Sequence, residues 1–366
     1  LANIDDFILL NAVTGIGSVR LKALLDCFKG PGDILKATRG ELSRVAGLNA
    51  AVIDGILSIR EKFDLDREKR LIKDHGVEII SIEDERYHKL LKNISSAPIL
   101  LYIKGRLSER DEYAVAIVGS RAASMNGLKN SRRLAMELAS LGITVTSGMA
   151  RGIDAAAHKG ALDAGGRTLA VLGSGLARIY PPEHISLAEK IASSGAVISE
   201  FPMESPPASE HFPRRNRVIS GLSLGVLVVE AAKRSGSLIT AGFALEEGRD
   251  VFAVPGRPGE LTSAGTNDLI RQGAKLVESA DDIVSELDIS VMDTERGAAE
   301  KSTDIAGLSE EEKRIFGLLG EGPMHIDTLS EGLDIPGEKI MGALLRLQSK
   351  GVVKELPGKL FLMRSR

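Results

Sequence analysis

Between about residues 112 and 288 the chain repeats one pattern: a short apolar run, a turn of small residues, then an amphipathic stretch. The apolar runs are 113-YAVAIVG-119, 143-ITVTSG-148, 167-RTLAVLG-173, 196-AVISEF-201, 225-GVLVVEA-231 and 250-DVFAVPG-256, with a short seventh at 274–277. Runs without polar alternation suit strands covered on both faces, and such a sheet is parallel. Segments such as 127-GLKNSRRLAMELASLG-142 and 236-GSLITAGFALEEG-248 read as the crossover helices. The alternation predicts an α/β domain, a doubly wound parallel sheet of Rossmann-like layout.

The flanks read differently. Residues 1–62 form short helices around two glycine turns, 13-VTGIGSVRLKALL-25 and 45-VAGLNAAVIDGIL-57, a pattern similar to paired helix-hairpin-helix (SAM-like) units. Main-chain N–H groups in such a turn can hold a DNA phosphate. Gly15-Ile16-Gly17, with Arg20 and Lys22 behind it, suits that task, whereas Gly47-Leu48-Asn49 is followed by Asp54. A small packing or protein-contact module fits the same residues. Residues 63–111 open with a charged helix, 66-DREKRLIKDHG-76. Two β-like runs follow, 77–81 and 99–103, and the segment is expected to bridge onto the sheet domain. Residues 289–306 are polar and aperiodic, and read as a linker. In 307–366, Ser309 ahead of Glu310–Glu312 marks a helix start. Two further helical stretches, 325–332 and 335–351, and two strands around Pro357-Gly358 complete a winged helix-turn-helix.

Composition narrows the function classes. Apolar residues make up 43% and charged residues 27% of the 366, ordinary for a globular chain. The formal net charge of -3 predicts no general attraction to nucleic acid, so any such affinity has to come from local placement. Cys27 is the only cysteine, which excludes an intrachain disulfide and a thiolate cluster. The six histidines show no ligand spacing, so no metal site is expected. No other cofactor is expected. No apolar run approaches the ~18 residues of a membrane span. The opening LANIDDFILL carries acids where a secretion signal needs bases. The expected location is cytoplasmic.

Four strands run straight into small-residue turns: Gly119-Ser120-Arg121, Ser147 to Gly152, Gly173-Ser174-Gly175 and Ser235-Gly236-Ser237. In a parallel sheet these turns share the carboxyl edge. Each can present free N–H groups at a positive helix end, and glycine lets an anion approach closely. Glycine turns are also how α/β folds change direction, so one alone indicates no ligand. The set, with Arg121 and Arg151 attached, points to a ligand with several phosphates, or with one phosphate plus neighbouring sugars and bases. No G-x-x-x-x-G-K-[ST] occurs, and the first turn is G-S-R instead of G-x-G-x-x-G, so neither a P-loop nor a dinucleotide site is supported.

The stretch 211-HFPRRNRVISG-221 places Arg214, Arg215 and Arg217 behind Phe212. Pro213 opens a helix on which Arg214 and Arg217 share a face and Arg215 lies to one side. Guanidinium groups grip phosphate bidentately. A base stacked on Phe212 contributes roughly 1–3 kcal/mol. The alternative has Arg214 or Arg217 paired with local acids and Phe212 in the core.

Candidates for catalysis are weak. His158 is four residues from Asp154 on one helical face, more often a cap and a satisfied imidazole than a catalytic pair. Ser174 does not fit the G-x-S-x-G elbow. Glu230 ends a strand and can orient a loop as readily as act as a base.

The segments IVGSR (117–121), SGMARGIDAAAH (147–158), LGSGLARIYPPEH (172–184), ISEFP (198–202), HFPRRNRVISGLS (211–223), AAKRSGSLITAGFALEEGRDVFAVPG (231–256) and GTNDLIRQGAKLV (265–277) resemble the DNA-processing protein A family, also called DprA or Smf. The resemblance runs nearly without gaps across 112–288, and the two flanking modules agree with longer members. It implies a bacterial cytoplasmic protein that binds single-stranded DNA and helps load the RecA recombinase. It also implies a homodimer formed through the Rossmann-like domain, a part in natural transformation where the host is competent, and no established catalysis. By position the DNA pocket would include Arg121, Gly148, Phe212, Arg214, Arg217 and Ser235-Gly236-Ser237. The reading of turns and cations adds Arg151 and Arg215. Pro182 and Glu183 follow Tyr180-Pro181 where some relatives carry a lysine.

Two other functions fit parts of the chain. The fold also resembles nucleotide phosphoribohydrolases, whose P-G-G-x-G-T motif is followed by carboxylates. Here Thr240 is followed by no acid until Glu246, so the acid–base groups are missing. A duplex-DNA regulator would use 335–351, where Lys339, Arg346 and Lys350 stand beside Glu338. Nine acids balance nine bases over 308–366, which is weak electrostatics for groove binding.

Overall fold

A computed structural model describes residues 3–287, 309–319, 324–333, 335–349, 353–356 and 360–363. The chain divides into two units, residues 1–289 and 290–366.

The first unit is built on nine strands: β1 (Val77–Ser81), β2 (Leu100–Gly105), β3 (Ala114–Val118), β4 (Thr144–Ser147), β5 (Thr168–Leu172), β6 (Ala196–Ser199), β7 (Gly225–Val228), β8 (Asp250–Ala253) and β9 (Lys275–Leu276). Their order is β1-β2-β6-β5-β4-β3-β7-β8-β9, and the seven strands from β3 to β9 are parallel. The chain steps outward from β3 to β6 on one side, then returns past β3 to lay β7 to β9 on the other. The direction of winding reverses between β3 and β7, the place where open α/β sheets leave a crevice.

Successive residues of β5 and β6 serve opposite cores. Ala170 and Leu172 of β5 and Val197 of β6 pack into one; Leu169, Val171 and Ile198 pack into the other with Val218, Ile219, Ala241 and Ala244. These last four come from helices His211–Gly221 and Ser237–Glu246. Burial on both sides explains the unbroken apolar runs.

Two sequence expectations change here. The segment 63–111 does more than bridge: β2 pairs antiparallel with β6, and β1 with β2, so the segment widens the sheet by two strands. The N-terminal helices also share a core with the sheet. Phe7, Leu10, Leu24, Ile34, Leu42 and Ile56 pack in one cluster with Leu100, Ala170 and Leu172. Arg20, a candidate phosphate ligand, ties the two glycine turns together. Its guanidinium donates to the carbonyls of Gly15 (2.6 Å) and Gly47 (3.0 Å).

At the amino edge of the sheet lies a fully buried carboxylate, Asp111. It accepts from Arg167 Nε and Nη2 (both 2.9 Å), from Ser108 N (2.8 Å) and from Thr144 Oγ1 (3.1 Å).

The second unit has helices Glu310–Leu319, Ile326–Leu333 and Gly337–Ser349 and a three-stranded antiparallel sheet. The strands β10 (Met324–His325), β11 (Val353–Leu356) and β12 (Leu360–Met363) run in the order β10-β12-β11. This is the expected winged helix. Ser309 caps the first helix as anticipated, with Glu312 N donating to its hydroxyl (3.2 Å) and Ser309 N to the Glu312 carboxylate (2.9 Å). The linker 289–306 and the Pro357-Gly358 turn lie outside the described residues. Among the described residues no helix is long and apolar enough to cross a membrane.

Arg167→Ala would leave Asp111 buried without its cation. Removing one partner of a buried pair costs about 3–5 kcal/mol. Urea unfolding should show a loss of that order with the same m-value; a change below about 1 kcal/mol would mean that the pair is not what secures this edge.

Candidate nucleic-acid interface

Where the winding reverses, the carboxyl ends of β3 and β7 open into a cleft of about 710 Å³. The turn after β3 (119–122) forms one wall and the turn after β7 (232–237) the other. Phe212, Pro213, Arg215 and Asn216, at the head of helix His211–Gly221, close the third side. A smaller hollow of about 30 Å³ adjoins it beyond β4 and β5, lined by Gly148, Arg151, Gly173, Tyr180 and Pro181. Arg121, Ala150, Phe212 and Arg215 border both.

Buried carboxylates set the turns. Glu230 follows β7 and accepts from Ser124 N (3.0 Å) and from the Ser124 hydroxyl, while its own carbonyl receives Ser120 N (2.8 Å). Glu230 is therefore a loop-holding residue. Asp154 accepts from Ala150 N (3.3 Å). Burial pushes its carboxyl pKa up, against the opposing pull of Arg215. In the β4 turn Met149 takes a left-handed conformation, φ 55°, which side chains other than glycine and asparagine rarely adopt. Gly148 beside it has no room for a Cβ, because the Arg215 guanidinium occupies that space. A Cβ on Gly173 would come within 3.0 Å of the Phe212 ring, so a glycine there lets the ring lie across the end of β5.

The cations divide into two groups. Arg121 is exposed, and its guanidinium carbon stands 4.7 Å from the Phe212 ring centroid, a cation–π distance. Arg234 is exposed on the opposite wall. Arg151 is exposed but paired with Glu183 at 2.5 Å. Arg215 is buried beneath the cleft, donating to the carbonyls of Gly148 and Val171 (2.7 Å to the latter), and burial lowers its pKa to about 10. Arg217 is buried as well, bonded to Glu200 and to the Ser96 carbonyl. Arg214 is half-exposed, 3.6 Å from Glu200 and over the Phe201 ring.

Of the residues singled out in the sequence, Arg121, Gly148, Arg151, Phe212, Arg215, Ser235, Gly236 and Ser237 line the cleft or the hollow. Arg214 and Arg217 line neither. They do share a helical face, as their spacing requires, but that face meets Glu200. The arginine cluster thus acts mainly inward. Arg234 and Asn216 line the cleft and were not anticipated, although Arg234 directly precedes Ser235-Gly236-Ser237 in 231-AAKRSGS-237.

The family model for DNA recombination-mediator protein A matches residues 78–288, and that for the DprA winged helix domain matches 299–359. Protein Smf of Escherichia coli is 40% identical over 283 residues, 76% of each chain. The chain belongs to the DNA-processing protein A family. The family match begins inside β1, so the antiparallel pair β1–β2 falls within it and the helical module precedes it. The X-ray structure of DNA processing protein A from Streptococcus pneumoniae superposes with TM-score 0.68 at 36% identity, covering 78% of this chain and 99% of that one. DNA processing protein A from Helicobacter pylori, described for its single-stranded DNA binding mode, gives TM-score 0.52 at 29% identity, covering 57% and 95%.

In this member of the DNA-processing protein A family, the weak catalytic candidates have structural work. His158 is fully buried, with Nδ1 2.6 Å from Thr168 Oγ1, and Asp154 faces Ala150 and Arg215 instead. Ser174 donates to the Arg178 carbonyl (2.7 Å). Among the described residues no cluster of three or more His, Cys, Asp or Glu suits a metal.

Burial, with His184 and Arg215 adding positive charge nearby, lowers the His158 pKa to about 3. An exposed imidazole has a pKa of ~6.5. Between these values the unfolded chain holds a proton that the folded chain does not. The stability tied to neutral His158 is therefore complete above pH ~6.5 and is lost as pH falls towards 3. From pH 7 to pH 5 the wild type should lose about 2 kcal/mol more than His158→Asn in urea unfolding. Parallel pH profiles would show that His158 is not buried neutral.

Proposed function

We propose that this protein binds single-stranded DNA along the carboxyl edge of its sheet, without reading base identity and without altering the DNA chemically. The observation that carries the proposal is the pairing of an exposed cation with an aromatic face: Arg121 over Phe212, at the border of the cleft and the hollow. A phosphate on Arg121 and a base against Phe212 or Tyr180 match how sequence-tolerant single-strand binders work. Helix Ser237–Glu246, opening at Gly236, turns its positive end toward the same cleft. Streptococcus pneumoniae DNA processing protein DprA, 46% identical over 208 residues, and the Helicobacter pylori protein support the same reading.

The family resemblance extends it to DNA processing in recombination and transformation, to a homodimer, and to transfer of the strand to RecA in the bacterial cytoplasm. Binding is favoured over phosphoribohydrolase chemistry because the acids near the cleft are committed: Asp154 lies in the field of Arg215 and Glu230 holds Ser124. Release of free base from nucleoside monophosphates would reverse that preference. Duplex reading by the winged helix is not favoured, since Arg346 is bonded to the buried Glu312 (3.2 Å).

Salt titration of oligonucleotide binding tests the proposal, which expects single strands to bind more tightly than duplexes. Arg121→Ala should weaken single-strand binding and reduce the log–log salt slope by about 0.7. Phe212→Ala should cost roughly 1–3 kcal/mol with the slope nearly unchanged. Arg217→Ala should lower folding stability, with affinity restored wherever the variant is folded. Wild-type binding by the Arg121 and Phe212 variants would remove the cleft from consideration.

A further inference from the structure

Beyond the small hollow lies a third depression, of about 500 Å³, on the outer side of helix Ile153–Asp163. Arg132, Lys159 and Lys190 border it, with Asp163, Glu183 and His184. Arg132 is paired with Asp163 at 2.7 Å, and Glu183 with Arg151. Lys159 and Lys190 are exposed and enter no ion pair among the described residues. Two uncompensated cations therefore face one basin in a chain whose net charge is -3. Leu162 and buried Leu187 give the basin an apolar floor.

The basin is joined to the hollow by two bonds. Arg151 lines the hollow, Glu183 lines the basin, and they pair at 2.5 Å. His184 Nδ1–H, also of the basin, donates to the Met149 carbonyl (2.9 Å), in the turn whose neighbours Gly148 and Ala150 line the hollow. Cleft and hollow thus share a border, and the basin meets the hollow across the Arg151–Glu183 pair and the His184–Met149 bond.

We propose that the basin is a second segment of the single-strand track, in which Lys159 and Lys190 hold phosphates of the same strand after it leaves the hollow. The Arg151–Glu183 pair is the junction the strand crosses. There Glu183 repels the polyanion and occupies a guanidinium that would otherwise meet it. This inference rests on the single-strand reading of the cleft. It predicts that the protein distinguishes strand lengths: short oligonucleotides use the cleft alone, and longer ones reach the lysines.

The test measures affinity and salt slope for oligothymidylates of about 6 and about 20 nucleotides, spanning the usual site sizes. The full-length wild type is compared with Lys159→Ala/Lys190→Ala, both checked as folded by circular dichroism. The double variant should bind the short strand normally and lose its extra grip on the long one, with a salt slope smaller by about 1.4. Between 50 and 200 mM salt that difference is roughly sevenfold in affinity. Glu183→Gln should bind the long strand more tightly, with a steeper slope. Wild-type behaviour of the double variant on the long strand overturns the inference and leaves the cleft reading intact. An equal loss on both lengths overturns it too, because the basin would then not be a separate segment. Failure of the wild type to bind either strand removes the cleft reading, and this one with it.

Discussion

A guanidinium under the floor of the cleft organises what lies above it. Arg215 sits where three elements meet, and it satisfies itself on main-chain carbonyls at the ends of β4 and β5 while facing Asp154. A buried cation without partners would be very costly, so its position on helix His211–Gly221 fixes that helix against both strand ends. Phe212 and Pro213, three and two residues earlier, are thereby held at the rim. Gly148 lacks a side chain because this guanidinium fills the space. The aromatic edge of the cleft is a consequence of the cation beneath it.

The same division of labour recurs around the cleft. Glu200, Glu230 and Asp154 are each buried and engaged with protein donors. Turned inward, they leave main-chain amides, Arg121 and Arg234 to set the local field, Arg151 being paired with Glu183. A slightly acidic chain can in this way keep a positive rim, because the sign at a surface depends on which charges face solvent.

The strands of the parallel sheet, the capped helix at Ser309 and the cluster of turns on one edge were all legible in the sequence. Each is written in local periodicity or local turn chemistry. What the sequence left open was which partner each group would meet. Helical spacing says that Arg214 and Arg217 share a face; it does not say that Glu200, just past the end of β6, waits opposite. Arg20 follows the same rule, since its two acceptors belong to turns some thirty residues apart. The antiparallel pair β1–β2 was visible as two apolar runs, but its place beside β6 is a long-range choice that short runs do not encode. Arg234 shows the opposite error: its signal was local, and it was overshadowed by the denser cluster at 214–217.

The continuous core beneath the N-terminal helices has a geometric meaning. Those helices and the inner face of β5 bury one another, so the helical layer cannot swing without exposing Leu100, Ala170 and Leu172 to water. Its offset from the sheet rim is a constant of the molecule. A polymer that touches both has to supply the span from its own contour.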